Sequence, residues 1–422
     1  MIANLQIHIH GEWITLATFE QRDVSGNGYL EYEPEYIIDY KDDPHHRVGL
    51  LYPVNYELYS RLDWPAFLTD ILPSGAGRRV WLRRLGMKDG ESKELDWTLL
   101  LNGAGNPPGN IRVVESAIQA PDTPHPGFTM DEIVQKNADF IEYAEEMGAV
   151  VAGATDIPGD APKFMVVRDQ AGRWHPDGSL SDDKVADCWI VKFPRGKHER
   201  DFLVLRNEAP YYEVARWFGV RTGAPLMFRD DALFIPRFDR VPIEGILIRH
   251  GLETLCSVAD IPERNRRGDH LEFCKAIAQV ATDPKTELFE YLKREILNSA
   301  LRNVDNHGRN TAFIKRYGKK IELSPLYDFA PMFLDPEGIA RASLWGNGIE
   351  KTIGRPEWRD VVELLSDLAD QVDMIEFLAS LADSVMALPE KMKECGVEER
   401  VIQGVAPRCD EIGNDLDQLQ RG

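Results

Sequence analysis

The chain opens on strict alternation. Residues 5–10 alternate apolar and polar side chains, Gly11 turns, and Trp13-Ile14-Thr15-Leu16 runs back, a pattern that predicts paired β-strands. After Pro65, the spacing of Phe67, Leu68, Ile71 and Leu72 predicts a helix. Residues 103–109 are rich in glycine and proline and read as a loop. Three prolines within residues 117–127 mark a first boundary. The middle third predicts a short helix over 130–147 and a glycine-punctuated segment over 148–164. A strand follows at Met165-Val166-Val167, then a polar turn region over 169–182. A further strand over 189–193 stops at Pro194, a helix runs from about Glu208 to Phe218 and stops at Gly219, and another strand covers 232–238. From about Leu252 the pattern is helical. Leu288, Tyr291, Leu292 and Ile296 share one face, and two or three amphipathic helices follow Val361. No internal repeat is visible. A β-rich first part followed by a helix-rich last part predicts an α+β arrangement with a cleft between lobes.

Composition narrows the function classes. A chain of 422 residues predicts two or three domains. Its 70 acidic and 49 basic residues give a net charge of −21, which disfavours direct nucleic-acid binding. The exception is a local cluster at Arg78, Arg79, Arg83 and Arg84, more simply read as a solvated helix face. The five cysteines are scattered and form no CxxC pair, so neither a disulfide framework nor a zinc site is expected. No basic and apolar leader and no long apolar run is present, so the expectation is a cytoplasmic protein with no membrane partner.

Residues 305–331 carry the chemistry. Asp305-Asn306-His307-Gly308-Arg309-Asn310 precedes a predicted hairpin, residues 311–315 and 321–323, and Asp328-Phe329-Ala330 follows it. The two strands of a hairpin lie ~4.8 Å apart, so its ends meet. Asn310 and Asp328 are thereby brought within reach of one small ion. A hard cation such as Mg2+ takes oxygen ligands, which an amide carbonyl and a carboxylate supply. Asp305 stands five residues before Asn310, the Asp-x4-Asn spacing of a phosphotransferase catalytic loop. Asp328-Phe329 takes the place of the later metal-binding Asp-Phe. Either half alone also fits an Asx-rich turn; the order of the two with a hairpin between is far more specific. Arg309 is a candidate to face the transferring phosphate, and His307 to hold the loop by hydrogen bonds. Lys192 lies inside the apolar run Ile190-Val191-Lys192-Phe193 and is a candidate phosphate-binding cation, against the reading of a lysine that snorkels at a strand end. Glu208 is read either as its partner or as a first-turn carboxylate on the helix dipole. Gly148, Gly153 and Gly159 match neither a Walker loop nor GxGxxG.

These residues resemble the HipA family of bacterial toxin kinases along most of the chain. Ile71-Leu72-Pro73 with Gly77-Arg78-Arg79 resembles the family's Leu-Pro helix motif. Residues 103–113 resemble its Gly…Gly…Val element, and Val151-Ala152-Gly153-Ala154 with Lys163 its phosphate loop. Ile190-Val191-Lys192-Phe193-Pro194, Asn207-Glu208 and Arg237-Phe238-Asp239-Arg240 recur in order. The strongest likeness is 305–310 followed by Leu323-Ser324-Pro325-Leu326-Tyr327-Asp328. The resemblance implies a two-lobed protein-kinase-like α+β fold with an all-helical C-lobe. Its parts would be a β-rich N-terminal subdomain over 1–125, a kinase N-lobe core over 126–250 and a C-lobe over 251–422. It implies an ATP- and Mg2+-dependent serine/threonine protein kinase acting as the toxin of a toxin–antitoxin pair and causing growth arrest. In the site that it implies, Asp305 is catalytic, with His307 and Arg309 beside it, and Asn310 and Asp328 hold the metal. The nucleotide falls to Val151, Ala152, Gly153, Ala154, Lys163 and Lys192, with adenine at Pro236, Arg237 and Phe238. It further implies a helix-turn-helix antitoxin of HipB type, DNA contact only through that antitoxin, and a protein substrate, a tRNA synthetase in the best-known member.

The chain departs from the family pattern in several places. Residues 155–161 are an insertion before Lys163. Val150 stands where the best-known member has an autophosphorylated serine, leaving Thr155 as the nearest hydroxyl. Arg309 replaces a loop lysine, and Pro236 lacks the N–H that a hinge would donate. The longer loop ending Ala161-Pro162-Lys163-Phe164 looks more like the YjjJ-type branch. Two other readings stay open from the residues: a small-molecule kinase, and a nucleotide-binding module acting through a DNA-binding partner.

Overall fold

The computed structural model describes residues 1–23, 25–149, 151–155, 161–262, 268–346 and 348–421. The chain divides into two compact units. The first takes residues 1–196, 226–253 and 314–319; the second takes 197–225, 254–313 and 320–422.

The first unit holds two five-stranded antiparallel sheets. One consists of β1 (Ile2–Ile9), β2 (Glu12–Gln21), β3 (Gly28–Tyr32), β4 (Tyr59–Arg61) and β5 (Ile111–Val113), in the order β4-β3-β2-β1-β5. The predicted alternation is real: Ala3, Leu5, Ile7 and Ile9 all point into the core. His10 and Gly11 both have positive φ, 48° and 95°, the backbone that a two-residue hairpin turn requires. Trp64, Phe67, Leu68, Trp97, Leu99 and Leu100 pack on the buried face. The helix expected after Pro65 is a single turn, Phe67–Asp70, and Pro73 separates it from the next helix, Gly75–Arg84. On that second helix three arginines of the cluster meet carboxylates within the unit. Arg78 is buried between Asp89 (3.0 Å) and Asp96 (2.9 Å), Arg83 meets Glu142 at 3.0 Å and Arg84 meets Glu145 at 3.5 Å.

The second sheet consists of β6 (Lys163–Asp169), β7 (Trp174–Pro176), β8 (Val185–Lys192), β9 (Met227–Arg229) and β10 (Ala232–Pro236), in the order β7-β6-β8-β10-β9. Phe140, Phe164, Phe193, Trp174 and Phe234 fill its core. The helix expected over 130–147 is two helices, Met130–Lys136 and Phe140–Glu146. Asn137, with φ 54°, breaks between them. An unforeseen hairpin, β11 (Arg240–Ile243) and β12 (Ile246–Arg249), turns at Glu244-Gly245, both with positive φ.

The second unit is mainly helical. Its first helix, α1 (Glu199–Trp217), starts nine residues before Glu208, behind a capping box formed by His198 and Asp201. The charged first turn carries no apolar period, which hid it from pattern reading. Glu208 is consequently mid-helix and buried, not a first-turn carboxylate. Gly251–Thr254, expected to begin helical sequence, is a strand. The long helix α2 (Pro284–Ala300) is capped by Asp283 and has proline at its start. Five helices, not two or three, follow residue 357. They are Trp358–Leu364, Gln371–Ser380, Ala382–Met386, Leu388–Glu394 and α3 (Glu399–Asp417). Among the helices also lie the predicted hairpin β13 (Ala312–Lys315) and β14 (Ile321–Leu323), whose tip at 314–319 counts with the first unit, and a small ribbon, Glu350–Thr352 with Arg355–Pro356. All five cysteines are free, four of them buried. Among the described residues no helix is long and apolar enough to cross a membrane.

Candidate active site

The loop 305–310 lies in the second unit and is shaped by its own side chains. α2 stops because Arg302 takes a left-handed backbone (φ 54°) and Asn303 N–H returns to the Asn298 carbonyl at 2.9 Å. Asn303 Nδ2 also donates to Asn298 Oδ1 at 2.9 Å. His307 Nδ1 accepts from Arg309 N–H at 3.2 Å. With Nδ1 unprotonated, the ring proton belongs on Nε2, which faces Asp305 Oδ1 at 3.6 Å. Asp305 keeps 31% of its side chain exposed, while His307 keeps 10%. Thus the carboxylate is partly exposed and the imidazole is packed behind it. Gly308 has a steric reason. A Cβ there would sit 2.4 Å from Phe273 Cζ and 2.8 Å from Cys256 Sγ.

Asn310 closes the loop. Its Nδ2 donates to the Asp305 carbonyl at 2.8 Å, which fixes the orientation of the amide; Oδ1, which carries the lone pairs, is the group it can offer a cation. Asp328 reaches this neighbourhood by two braces. Tyr327 Oη donates to the Arg309 carbonyl at 2.9 Å, and buried Phe329 packs on Tyr211 with ring centroids 5.6 Å apart. Asp328 between them has φ 53°, a left-handed conformation that costs a non-glycine residue on the order of 1–3 kcal/mol. Backbone strain of this kind is held only where the surroundings over-determine it.

Beneath the loop is a network that sequence reading missed. Glu295 of α2 is 1% exposed and accepts from Asn306 Nδ2 at 2.6 Å and from Arg341 Nη2 at 2.8 Å. His270 Nε2 lies 3.3 Å from the same carboxylate, and His270 Nδ1 is 2.7 Å from Tyr291 Oη. Burial raises the Glu295 pKa and pushes that of His270 well below its usual value. A signal did exist: Glu295 falls on the same helical face as Leu288, Tyr291 and Leu292, a carboxylate in an apolar stripe.

The remaining candidates lie in the first unit. Lys163 and Lys192 are direct register partners in the β6–β8 pair, so their side chains share one face of the sheet. Like charges directly opposite are unfavourable by themselves, and an anion between them reverses the sign. Val151, Gly153 and Ala154 are buried, and Ala152–Thr155 forms a 3-10 turn. Gly153 is required: a Cβ would meet the Asp177 carbonyl at 2.8 Å and Asn106 Nδ2 at 2.9 Å. Thr155 is buried, so a phosphate there would need the turn to open. Val150 and Gly159 lie outside the described residues. Pro236 ends β10 opposite Trp189. Arg237 N–H is taken by the Cys188 carbonyl at 2.9 Å. Its guanidinium is buried on Asp177 (2.7 Å) and Asp239 (2.6 Å). Phe238 is half-buried. Against the desolvation that would raise it, the facing Arg237 and Arg240 hold the Asp239 carboxylate charged and lower its pKa to about 2.

The site residues thus form two sets, the cations and glycine turn on the first unit and the Asp305–Asp328 constellation on the second. Comparison with known proteins then decides the family. A family model described as HipA-like C-terminal domain matches residues 155–388, more than half of the chain. The chain belongs to the HipA family. A solved structure of the Shewanella oneidensis MR-1 toxin–antitoxin system HipA, HipB and its operator DNA complex contains a chain similar to this one. TM-score is 0.67 and identity 16%, over 100% of this chain and 99% of that one. This HipA-family chain therefore has that fold from end to end, in the α+β class that its sequence predicts. A Helicobacter pylori proinflammatory kinase, CtkA, matches with TM-score 0.34 and 13% identity over 56% of this chain and 90% of its own. No curated protein matches the sequence.

Proposed function

We propose that this HipA-family chain is an ATP- and Mg2+-dependent serine/threonine protein kinase, the toxin of a toxin–antitoxin pair. The observation that carries the reading is the Tyr327 Oη bond to the Arg309 carbonyl. It joins the sequence neighbours of Asn310 and Asp328, the two residues proposed as metal ligands. One amide oxygen and one carboxylate suit magnesium, which is usually held by one or two protein oxygens together with substrate phosphates. Among the described residues no group of three or more His, Cys, Asp or Glu is arranged to hold a metal, so the phosphates would complete the shell. The Lys163–Lys192 pair and the Gly153 turn suit a polyphosphate.

When bound, ATP supplies the phosphoryl group and magnesium offsets its charge. The chain's residues do the rest. Asp305 accepts the proton of the attacking hydroxyl, or orients that hydroxyl, through its partly exposed carboxylate. His307 steadies that carboxylate from behind. Arg309 offers a guanidinium to the transferring group. The hydroxyl donor is a serine or threonine of a cellular protein, a tRNA synthetase being the first to try. The partner is a DNA-binding antitoxin of HipB type, such as stands in the Shewanella complex. The kinase acts in the cytoplasm, where phosphorylation of its protein substrate arrests growth.

The test is transfer of labelled γ-phosphate from ATP to proteins of a host lysate, with and without magnesium. Labelled serine or threonine that disappears with EDTA is expected. Nucleotide binding without transfer to any acceptor would overturn the enzyme reading in favour of a binding module.

A further inference from the structure

The hairpin that follows Asn310 is held at its tip in a way that hairpin turns, ordinarily exposed loops, are not. Three tip residues are hydrogen-bonded to the N-terminal part of the first unit. Lys315 is buried, and its Nζ donates to the Arg47 carbonyl at 2.6 Å. Tyr317 Oη donates to the His8 carbonyl at 2.8 Å and accepts from Asn110 Nδ2 at 3.0 Å. The Tyr317 ring lies 5.5 Å from that of His10 and 5.1 Å from that of His46. The Lys319 carbonyl faces His45 Nε2 at 2.6 Å, and since a carbonyl only accepts, the imidazole donates there. Asp43 steadies that donor by capping the turn Pro44–His46, accepting from the His45 N–H at 2.8 Å. We propose that this clasp is a positioning device for the active site: by holding Lys315, Tyr317 and Lys319, the first unit sets where β13 delivers Asn310. The inference rests on the reading of Asn310 as a metal ligand given above.

The two strands of the hairpin are held by different groups. β14 is fixed within the second unit, where Ile321 N–H donates to Thr282 Oγ1 at 2.9 Å and Leu323 N–H to Glu287 at 2.8 Å. β13 is the middle strand of a three-stranded sheet, between Gly251–Thr254 and β14, and Lys315 is its last residue. The sequence makes room for that lysine. A Cβ on Gly251 would sit 2.5 Å from Lys315 Cε and 2.9 Å from Asn110 Oδ1. Burial lowers the Lys315 pKa to about 8, with Glu253 opposing the shift, so the ammonium is still charged at neutral pH. A buried charge is costly, and an exposed turn would join the strands without it. The cost is explained if the anchorage itself matters. An extended strand advances about 3.3 Å per residue with little slack, so a shift at Lys315 reaches Asn310 along the strand.

Tyr317→Phe and His45→Ala each remove one clasp contact and touch no residue assigned to nucleotide, metal or proton transfer. Amide hydrogen exchange on the ligand-free full chain is the first measurement. Each variant should speed exchange in residues 305–310 about fivefold, the equilibrium worth of one hydrogen bond, as well as in 315–319. Titration of ATP binding with magnesium is the second. The half-saturating magnesium concentration should rise by about the same factor, with ATP affinity in EDTA unchanged. Exchange in 305–310 at the parent rate, or equal loss of ATP affinity with and without magnesium, would overturn the proposal. A parent chain that binds ATP without regard to magnesium would overturn the metal reading instead, and exchange in 305–310 would still decide the clasp. Thermal unfolding shows whether each variant is folded; should one fail, the other carries the test.

Discussion

The two sets of candidate residues, one in each unit, are positioned by different physics. Lys163 and Lys192 sit on neighbouring strands, and the ladder of β6 and β8 places them. Their spacing follows from backbone register, so little else is needed. Asp305, Asn310 and Asp328 sit on irregular backbone. Nothing periodic places them, and the unit instead uses side chains: Glu295 under Asn306, Tyr327 on Arg309, Phe329 on Tyr211. A strand-borne site tolerates loss of one side chain without moving. A braced loop does not, because each brace is a single contact. Strain at Asp328 fits this contrast, since a left-handed aspartate relaxes once its neighbours release it.

The contrast can be broken experimentally. The largest effect is expected from Asp305→Ala. It should lower phosphotransfer about 10²–10⁴-fold, the usual worth of a general base, and leave nucleotide binding intact. Turnover and calorimetric titration with ATP check both halves, and unaltered turnover would remove Asp305 from its role. Next comes Glu295→Ala, which strands Arg341 beside His270 in the interior. Breaking such a buried pair costs about 3–5 kcal/mol, read from denaturant unfolding. Glu295→Gln should recover part of that stability. If both variants unfold like the parent, the brace has no structural weight. Tyr327→Phe removes one hydroxyl donor and should cost about 0.5–1.5 kcal/mol in stability, with a larger proportional loss of magnesium-dependent nucleotide binding. An equal loss of binding with and without magnesium would detach the brace from the metal ligands. The smallest effect on stability is expected from Lys163→Met, within about 0.5 kcal/mol of the parent in denaturant unfolding, with weaker ATP binding. Unchanged ATP affinity would remove Lys163 from the nucleotide site.

Legibility in the sequence followed the same division. Alternation in residues 5–10 and 13–16 announced β1 and β2, because a half-buried strand writes its period of two directly. The hairpin after Asn310 was visible for the same reason. Helix starts were harder. Asp201 and His198 cap α1 with polar residues that carry no period, and so the helix was placed nine residues late. The break at Asn137 was invisible because asparagine adopts a left-handed backbone as readily in a loop as between helices. The arginines of Gly75–Arg84 showed their number but not their partners. Asp89, Asp96, Glu142 and Glu145 are distant in sequence, and only folding brings them near.

Sequence alone determined the α+β class, the Asp-x4-Asn loop, the hairpin that follows it and the family. Each of these is written in local periods or in fixed spacings, which survive without knowledge of the rest of the chain. Tertiary structure decided that Lys163 opposes Lys192, that Glu295 supports Asn306 from eleven residues away, and that Arg78 is buried between Asp89 and Asp96. Those facts depend on register, burial and charge balance among side chains from separate segments. Burial turns a charge that is unremarkable in water into one that must find a partner.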